Sequence, residues 1–426
     1  MVRDELENVQ RHKRLNAFIS TFEGRDGVAL SRARELDARL RAGRAKAPSG
    51  LFGLPLAIKD NIFLAGHRTT AASFYFREFV PKITSELVER ALALGCVPIG
   101  KTNLHELALG ATSAASYFGP VRNPHDPERI AGGSSGGSAV AVALAKGPML
   151  GLGTDTGGST RVPASLCGLI GFKPTLGRLS LEGVFPLSPT LDHMGLLTRT
   201  MPDMVASFEA LSGEKVSPTP RRRIRVAALK GHFIEGAEAS VSRNFWRAVE
   251  MMRASGRFAV KEVEAGPEFA RYGRARGTIL VREGSWFYEE LASSRDAEAR
   301  MDAGVLALLR RGLKTADLRY FESNLVRLES IGAVGRLLKG FDAVVTPTTG
   351  IVAPRLGEVV GKEAGEIRQS LIRNTEVFNL CGFPAVSVPS NPGGKGLPTG
   401  LQLACPAGED GLTITVAGEA LRAIVE

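Results

Sequence analysis

Two short clusters of glycine and serine hold the residues best suited to chemistry. The first is Gly132-Gly133-Ser134-Ser135-Gly136-Gly137-Ser138 and the second is Gly157-Gly158-Ser159; a small-residue helical run, Ala139 to Ala145, separates them. Glycine lets main-chain N–H groups approach a ligand closely, because no Cβ stands in the way. A serine hydroxyl can accept a proton, donate one, or attack a carbon. Clusters of this kind on either side of one short helix point to a site where backbone donors surround reactive hydroxyls.

Other readings of the glycines fit less well. A phosphate loop needs lysine and then Ser or Thr after its last glycine, whereas Gly137 precedes Ser138-Ala139. Gly151-Leu152-Gly153 opens like a dinucleotide fingerprint, but Gly157 falls one place too late. Gly132 to Gly136 fits G-x-S-x-G, yet that elbow must follow a buried strand, and the polar run Arg122 to Arg129 precedes it here. A serine–histidine–aspartate triad also has candidates: His105 or His193 as base, with Asp155 or Asp192 to orient it. Triad members meet in space rather than along the chain, so adjacency of Asp192 and His193 decides nothing.

The longer segments GGSSGGSAVAVA and GLGTDTGGSTRVPASLCGLIGFKPT resemble the signature of the amidase signature hydrolases. Gly53-Leu54-Pro55-Leu56-Ala57-Ile58-Lys59-Asp60-Asn61 resembles the family's lysine strand, and 100–119 resembles its substrate-side loop. Phe378 to Ala385 and Leu397 to Gln402 fit as well, so the likeness runs in family order over most of the chain.

The resemblance implies one large α/β domain, its central mixed β-sheet covered by helices on both faces. It implies Ser159 as nucleophile, Lys59 as base, and Ser134 as the bridging serine, joined to the preceding glycine by a cis peptide bond. The segment 143–150 is one residue longer than the family pattern, so Ser135 stays open as the alternative bridge. Backbone N–H groups of Thr156, Gly157, Gly158 and Ser159 match an oxyanion hole, and Ala108-Leu109-Gly110 an acyl-pocket loop. Arg161 matches either a structural contact with Asp155 or a clamp for a substrate carboxylate.

The chemistry of that trio is coherent. An ordinary lysine, with a pKa of about 10.4, is protonated at neutral pH; burial disfavours the charge and lowers the value. Lys59 closes the apolar run Leu54 to Ile58, at the rim of a buried sheet. Neutral Lys59 takes a proton from Ser134, Ser134 takes one from Ser159, and Ser159 attacks a carboxylic amide to form an acyl-enzyme. Taken singly, Lys59 reads as a solvated strand-end lysine and Ser159 as a helix N-cap. One family branch is the glutaminase component of the tRNA-dependent amidotransferase, which works with partner subunits. The favoured reading is a stand-alone amidase, because 266–339 lacks the pattern of that component. The third reading is a non-catalytic binding paralogue, but it is expected to have lost a serine or the lysine.

The bulk composition narrows the partners. With 426 residues, 44% of them hydrophobic, the chain can bury a large core. The net charge of +10 (54 basic less 44 acidic) comes without a long basic block, so direct nucleic-acid binding is not expected. Cys96, Cys167, Cys381 and Cys405 sit apart among apolar neighbours and read as buried thiols, with no metal site and no cofactor expected. The charged N-terminus lacks a secretion signal, and no apolar run reaches the ~18 residues of a membrane span. A cytoplasmic enzyme acting on a small-molecule amide, with a homo-oligomer possible, is the expectation.

The elements that position these residues follow from pattern. Helices are expected over Asp4–Phe22, Ala29–Arg44, Ser85–Leu94 and Asn103–Ala108, then at about 237–255, 275–293, 297–311, 316–338 and 411–424. Strands are expected over Leu51–Ile58, Val97–Gly100, Ile224–Leu229, Phe341–Thr346, Ala385–Val388 and Leu401–Ala404. Pro55 favours an edge or a bulge for the first of these. Arg178–Thr200 reads as turns and Gly357–Gly365 as a mobile loop. A linker at about 213–220 divides a core of about 51–200 from a helical and C-terminal part of about 221–426, within one amidase domain over 1–426.

Overall fold

The computed structural model describes residues 1–426 apart from 24–26, 43–49, 217, 219–221, 361–364, 392–395 and 426. Among the described residues, 11 strands form one sheet. In chain order they are β1 (Phe18–Thr21), β2 (Pro55–Lys59), β3 (Val97–Thr102), β4 (Leu150–Thr154), β5 (Ile170–Lys173), β6 (Met194–Thr198), β7 (Ile224–Leu229), β8 (Phe258–Val263), β9 (Ala343–Pro347), β10 (Ala385–Pro389) and β11 (Gly400–Ala404). Across the sheet the order is β1-β3-β2-β4-β6-β5-β10-β11-β9-β7-β8. Strands β2, β3 and β4 run parallel, as do β7, β8 and β9, while β6, β5, β10 and β11 join these two groups through antiparallel pairs.

The two-residue period of a strand sends alternate side chains to opposite faces, and each face has its own core. Val226, Ala228, Val345, Val386 and Leu403 pack on one side with Met204, Phe208, Phe245, Met252 and Ile414 from the helices Met201–Ser212, Ala239–Ala254 and Asp410–Val425. Their neighbours Ala227, Leu229, Val344, Ala385 and Ala404 pack on the other. There they meet Ile279, Leu309, Val334 and Phe378 from Glu268–Phe287, Ala303–Leu313, Asp317–Leu338 and Glu376–Leu380. This is the α/β arrangement with helices on both faces. No described helix is long and apolar enough to cross a membrane, and all four cysteines are buried free thiols.

Several elements depart from the pattern reading, each for a local reason. The first helix covers only Val2–Arg11. The chain turns at Asn16 (φ 56°), whose side-chain amide donates to the carbonyls of Phe118 and Gly119, and Phe18–Thr21 becomes an edge strand beside β3. The strand holding Pro55 is interior rather than an edge; proline is accommodated as its first residue, and the register against β3 shifts between Leu56 and Ala57. Instead of a helix over 103–108 there is a single tight turn, Glu106–Ala108, where Leu107 (φ 53°) and Ala108 (φ 58°) are left-handed. Leu356–Val359 is a short helix, while 361–364 of that expected loop lie outside the described residues. Of the expected 213–220 linker, Gly213 (φ 79°) ends the helix Met201–Ser212, and 217, 219 and 220 are outside the described residues.

Candidate active site

Lys59 closes β2, whose five residues are all buried, and is itself fully buried. Its Nζ lies 2.7 Å from Ser134 Oγ and 2.7 Å from Thr154 Oγ1, the latter at the end of the adjacent parallel strand β4. Burial lowers the Lys59 pKa to about 7, against an opposing pull from Asp155 and Asp192. The amine therefore loses its proton far more readily at neutral pH than an ordinary lysine, which is uncharged there in only about one molecule in 2,500.

Ser134 and Ser135 precede the helix Gly136–Leu144 and take different partners. The Gly133–Ser134 bond is cis. The carbonyl of Ser134 accepts from the His105 amide (3.2 Å) and Ser113 Oγ (3.1 Å), which fixes the backbone and leaves the hydroxyl to Lys59. A Cβ on Gly133 would come within 2.7 Å of the Ser113 nitrogen, so this approach requires glycine. Ser135 points elsewhere: its hydroxyl donates to the Thr154 carbonyl at 3.1 Å, and its amide donates to the Ser159 carbonyl at 3.0 Å. Ser135 therefore braces the two loops against each other.

The second loop winds around Asp155. Its carboxylate accepts from the amides of Gly158 (2.8 Å) and Thr160 (3.1 Å) and from Arg161 Nε and Nη2 (3.0 and 2.8 Å). Burial alone would raise the Asp155 pKa, but the Arg161 charge and hydrogen bonds outweigh it and hold the carboxyl well below its usual range. The Arg161 guanidinium also donates to Thr375 O, Gln402 Oε1 and Asn379 Oδ1. With its donors spent on protein acceptors, Arg161 is a structural clamp, which removes it as a receiver of a substrate carboxylate. Arg161→Met leaves Asp155 buried without its cation and is expected to cost about 3–5 kcal/mol. Urea denaturation checks this as a lower midpoint at unchanged slope.

This winding sorts the expected oxyanion donors. Gly158 (φ 129°) spends its N–H on Asp155 and so does not stand with the other three. The amides of Thr156, Gly157 and Ser159 have no protein acceptor among the described residues. Asp192 supports the loop by accepting from Thr156 Oγ1 (2.6 Å) and from the amides of Leu187 and Ser188. Burial raises its pKa to about 6 despite those bonds.

Ser159 lies where this loop meets a narrow cleft that Ala108, Leu109 and Gly110 also line, with Gly157 and Arg276. Its hydroxyl makes no hydrogen bond to Ser134 or Lys59 among the described residues, so the structure joins Lys59 to Ser134 but not Ser134 to Ser159. Neither histidine serves a serine. His193 Nδ1 pairs with the Leu191 carbonyl and His105 Nδ1 with Thr112 Oγ1, and burial lowers both pKa values, that of His105 to about 3.

Sequence reasoning missed Thr154, the second partner of Lys59, and gave no roles to Asn379 and Gln402 within their motifs. It also missed Arg276. A buried lysine at a strand end implies a polar partner on the next strand, and that signal could have pointed to a Thr in Leu150-Gly151-Leu152-Gly153-Thr154.

A family model described as Amidase matches residues 1–414. The chain belongs to the amidase family. Among relatives of this chain is the A component of the glutamyl-tRNA(Gln) amidotransferase of Lachnoclostridium phytofermentans, 32% identical over 88% of this chain and 84% of the relative. A solved structure described as an amidase superposes with a TM-score of 0.88 at 33% identity, covering 99% of this chain and 95% of that one. The corresponding amidotransferase component of Thermotoga maritima superposes at 0.81 with 29% identity, covering 97% and 89%. Family and relatives together make this an amidase-type enzyme acting on carbon–nitrogen bonds.

Proposed function

We propose that this amidase hydrolyses a linear carboxylic amide through an acyl-enzyme on Ser159, with Ser134 as proton bridge and Lys59 as base. The observation that carries this reading is the buried Lys59 amine, with a pKa near 7, held 2.7 Å from the Ser134 hydroxyl. Uncharged Lys59 takes the Ser134 proton as Ser134 takes that of Ser159, and Ser159 Oγ bonds to the carbonyl carbon. The carbonyl oxygen becomes an oxyanion facing the amides of Thr156, Gly157 and Ser159. On collapse the C–N bond breaks, Ser134 protonates the leaving nitrogen, and Lys59 returns a proton to Ser134. Water then repeats the path on the ester, releasing the carboxylic acid and restoring Ser159.

The two adjacent serines separate cleanly in this scheme. Ser134→Ala cuts the proton path and is expected to lower kcat by about 10²–10⁴-fold. Ser135→Ala removes a brace and is expected to lower melting temperature more than it lowers kcat. Steady-state assays and thermal melts of both variants check this, and the reverse ranking assigns the bridge to Ser135.

A second reading, glutaminase within an amidotransferase, is favoured by the names of the curated relatives. Purified protein assayed on simple amides and on glutamine, alone and with a tRNA-charging extract, separates the two. Turnover of simple amides by the protein alone supports the stand-alone amidase, and glutaminase activity that arises only with the extract supports the amidotransferase component.

A further inference from the structure

One buried cation beside the nucleophile has almost nothing to bind. Arg276, on the helix Glu268–Phe287, is 3% exposed and lines the cleft that holds Ser159. Its guanidinium lies so close to the oxyanion loop that a Cβ on Gly157 would fall 1.4 Å from Nη2. Yet Nε has no acceptor, and the nearest carboxylate, Glu376, stands 3.7 Å from Nη1, an ion pair too long for a hydrogen bond. Arg161, one loop away, spends its guanidinium on four protein residues. A buried guanidinium with an orphaned Nε and a single long ion pair is costly unless a ligand completes it.

The surroundings point to the sign of that ligand. A second cavity shares Arg276 and Arg368 with the cleft and is lined also by Arg274, Arg311 and Arg319, with Glu376 as its one carboxylate. Among the described residues Arg274, Arg311 and Arg319 form no ion pair. A concave wall of one sign concentrates field lines and draws in the opposite charge. The cleft itself offers Leu109, Leu280 and Ile372 as apolar walls, which suit a short carbon spacer.

We propose that the substrate is a short amide carrying a carboxylate, and that Arg276 receives this carboxylate while Ser159 attacks the amide carbonyl. This rests on the amidase reading above. A planar fork of donors matches a carboxylate in two parallel hydrogen bonds, and the contact beside Gly157 sets the anion only a few atoms from the scissile carbon. Here Arg276 is a specificity-determining residue, and the arginines beyond it form the approach.

The test compares monoamides of dicarboxylic acids with neutral amides of equal chain length, succinamate against butyramide first. The wild-type enzyme is expected to favour the charged member by about tenfold or more in kcat/KM, mainly through KM, and Arg276→Met to erase that ratio. Arg276→Lys, which keeps the charge without the fork, is expected to fall between. A wild-type preference for the neutral amide, or a ratio unchanged in Arg276→Met, overturns the proposal. A second arm needs no turnover: calorimetric binding of succinate, expected in the wild type and weakened at least about tenfold in Arg276→Met. Succinate binding without hydrolysis of any amide leaves the anion site standing and removes the amidase reading. Hydrolysis with neither preference nor succinate binding does the opposite. Circular dichroism establishes that each variant is folded, and Arg276→Lys decides the matter if Arg276→Met is not.

Discussion

Ser159→Ala is expected to lower amide turnover by about four to six orders of magnitude while leaving the fold intact. The size follows from the proposed role, in which Ser159 supplies the atom that bonds to the carbonyl carbon and no neighbouring hydroxyl stands in its place. Ser134 is held by Lys59, and Ser135 is turned towards the Thr154 carbonyl. The unchanged stability follows from the geometry, because the Ser159 hydroxyl bonds no protein group among the described residues and its removal strands none. Its backbone carbonyl still accepts from Ser135, so the two loops remain joined. Rapid-quench turnover assays and thermal melts check the two halves separately. A melting temperature that falls along with activity assigns Ser159 to structure instead.

Lys59→Ala carries the second large effect, a fall in kcat of about 10³–10⁴-fold, since a general base of matched pKa contributes on this order. Lys59→Met fills the space of the stem and separates lost chemistry from a cavity. The pH profile gives the sharper reading. Only the uncharged amine accepts a proton, so wild-type kcat/KM is expected to climb with pH to a midpoint near 7 and then level. In either variant this rising limb disappears. Stability moves with the same group and has a definite sign. The folded pKa of Lys59, about 7, lies below its ordinary value of 10.5. The unfolded chain therefore binds the proton more readily between those values, and stability owed to Lys59 rises with pH across that window. The gain in melting temperature of Lys59→Met over wild type is expected to be larger at pH 7 than at pH 10.

The candidate site was legible in the sequence because its chemistry is compressed into contiguous runs. Gly157-Gly158-Ser159 and Gly133-Ser134 combine backbone freedom with hydroxyls at fixed spacing, and Lys59 ends an apolar strand. What stayed hidden depends on contacts across the chain. Thr154 meets Lys59 only because β4 pairs beside β2, and pattern alone assigned no element to Leu150-Gly151-Leu152-Gly153-Thr154. The Gly158 amide reads as an oxyanion donor from its place in the motif, and only the winding around Asp155 commits it inward. Arg276 lies 117 positions beyond Ser159 on a helix that also carries Arg271, Arg274 and Arg282, so its type and spacing carried no signal. The early strand Phe18–Thr21 was hidden for a similar reason, since its pairing with β3 overrides a helical pattern.

The central claim is that an uncharged lysine activates one serine through another. Its most direct measurement is the rate at which a fluorophosphonate acylates the enzyme, followed by intact-protein and peptide mass spectrometry from about pH 5 to about pH 9. The expected result is a single adduct on Ser159, forming faster as pH rises through about 7, and forming slowly without that rise in Lys59→Ala. An adduct on another residue, or a Lys59→Ala enzyme that labels at the wild-type rate with the wild-type pH profile, contradicts it.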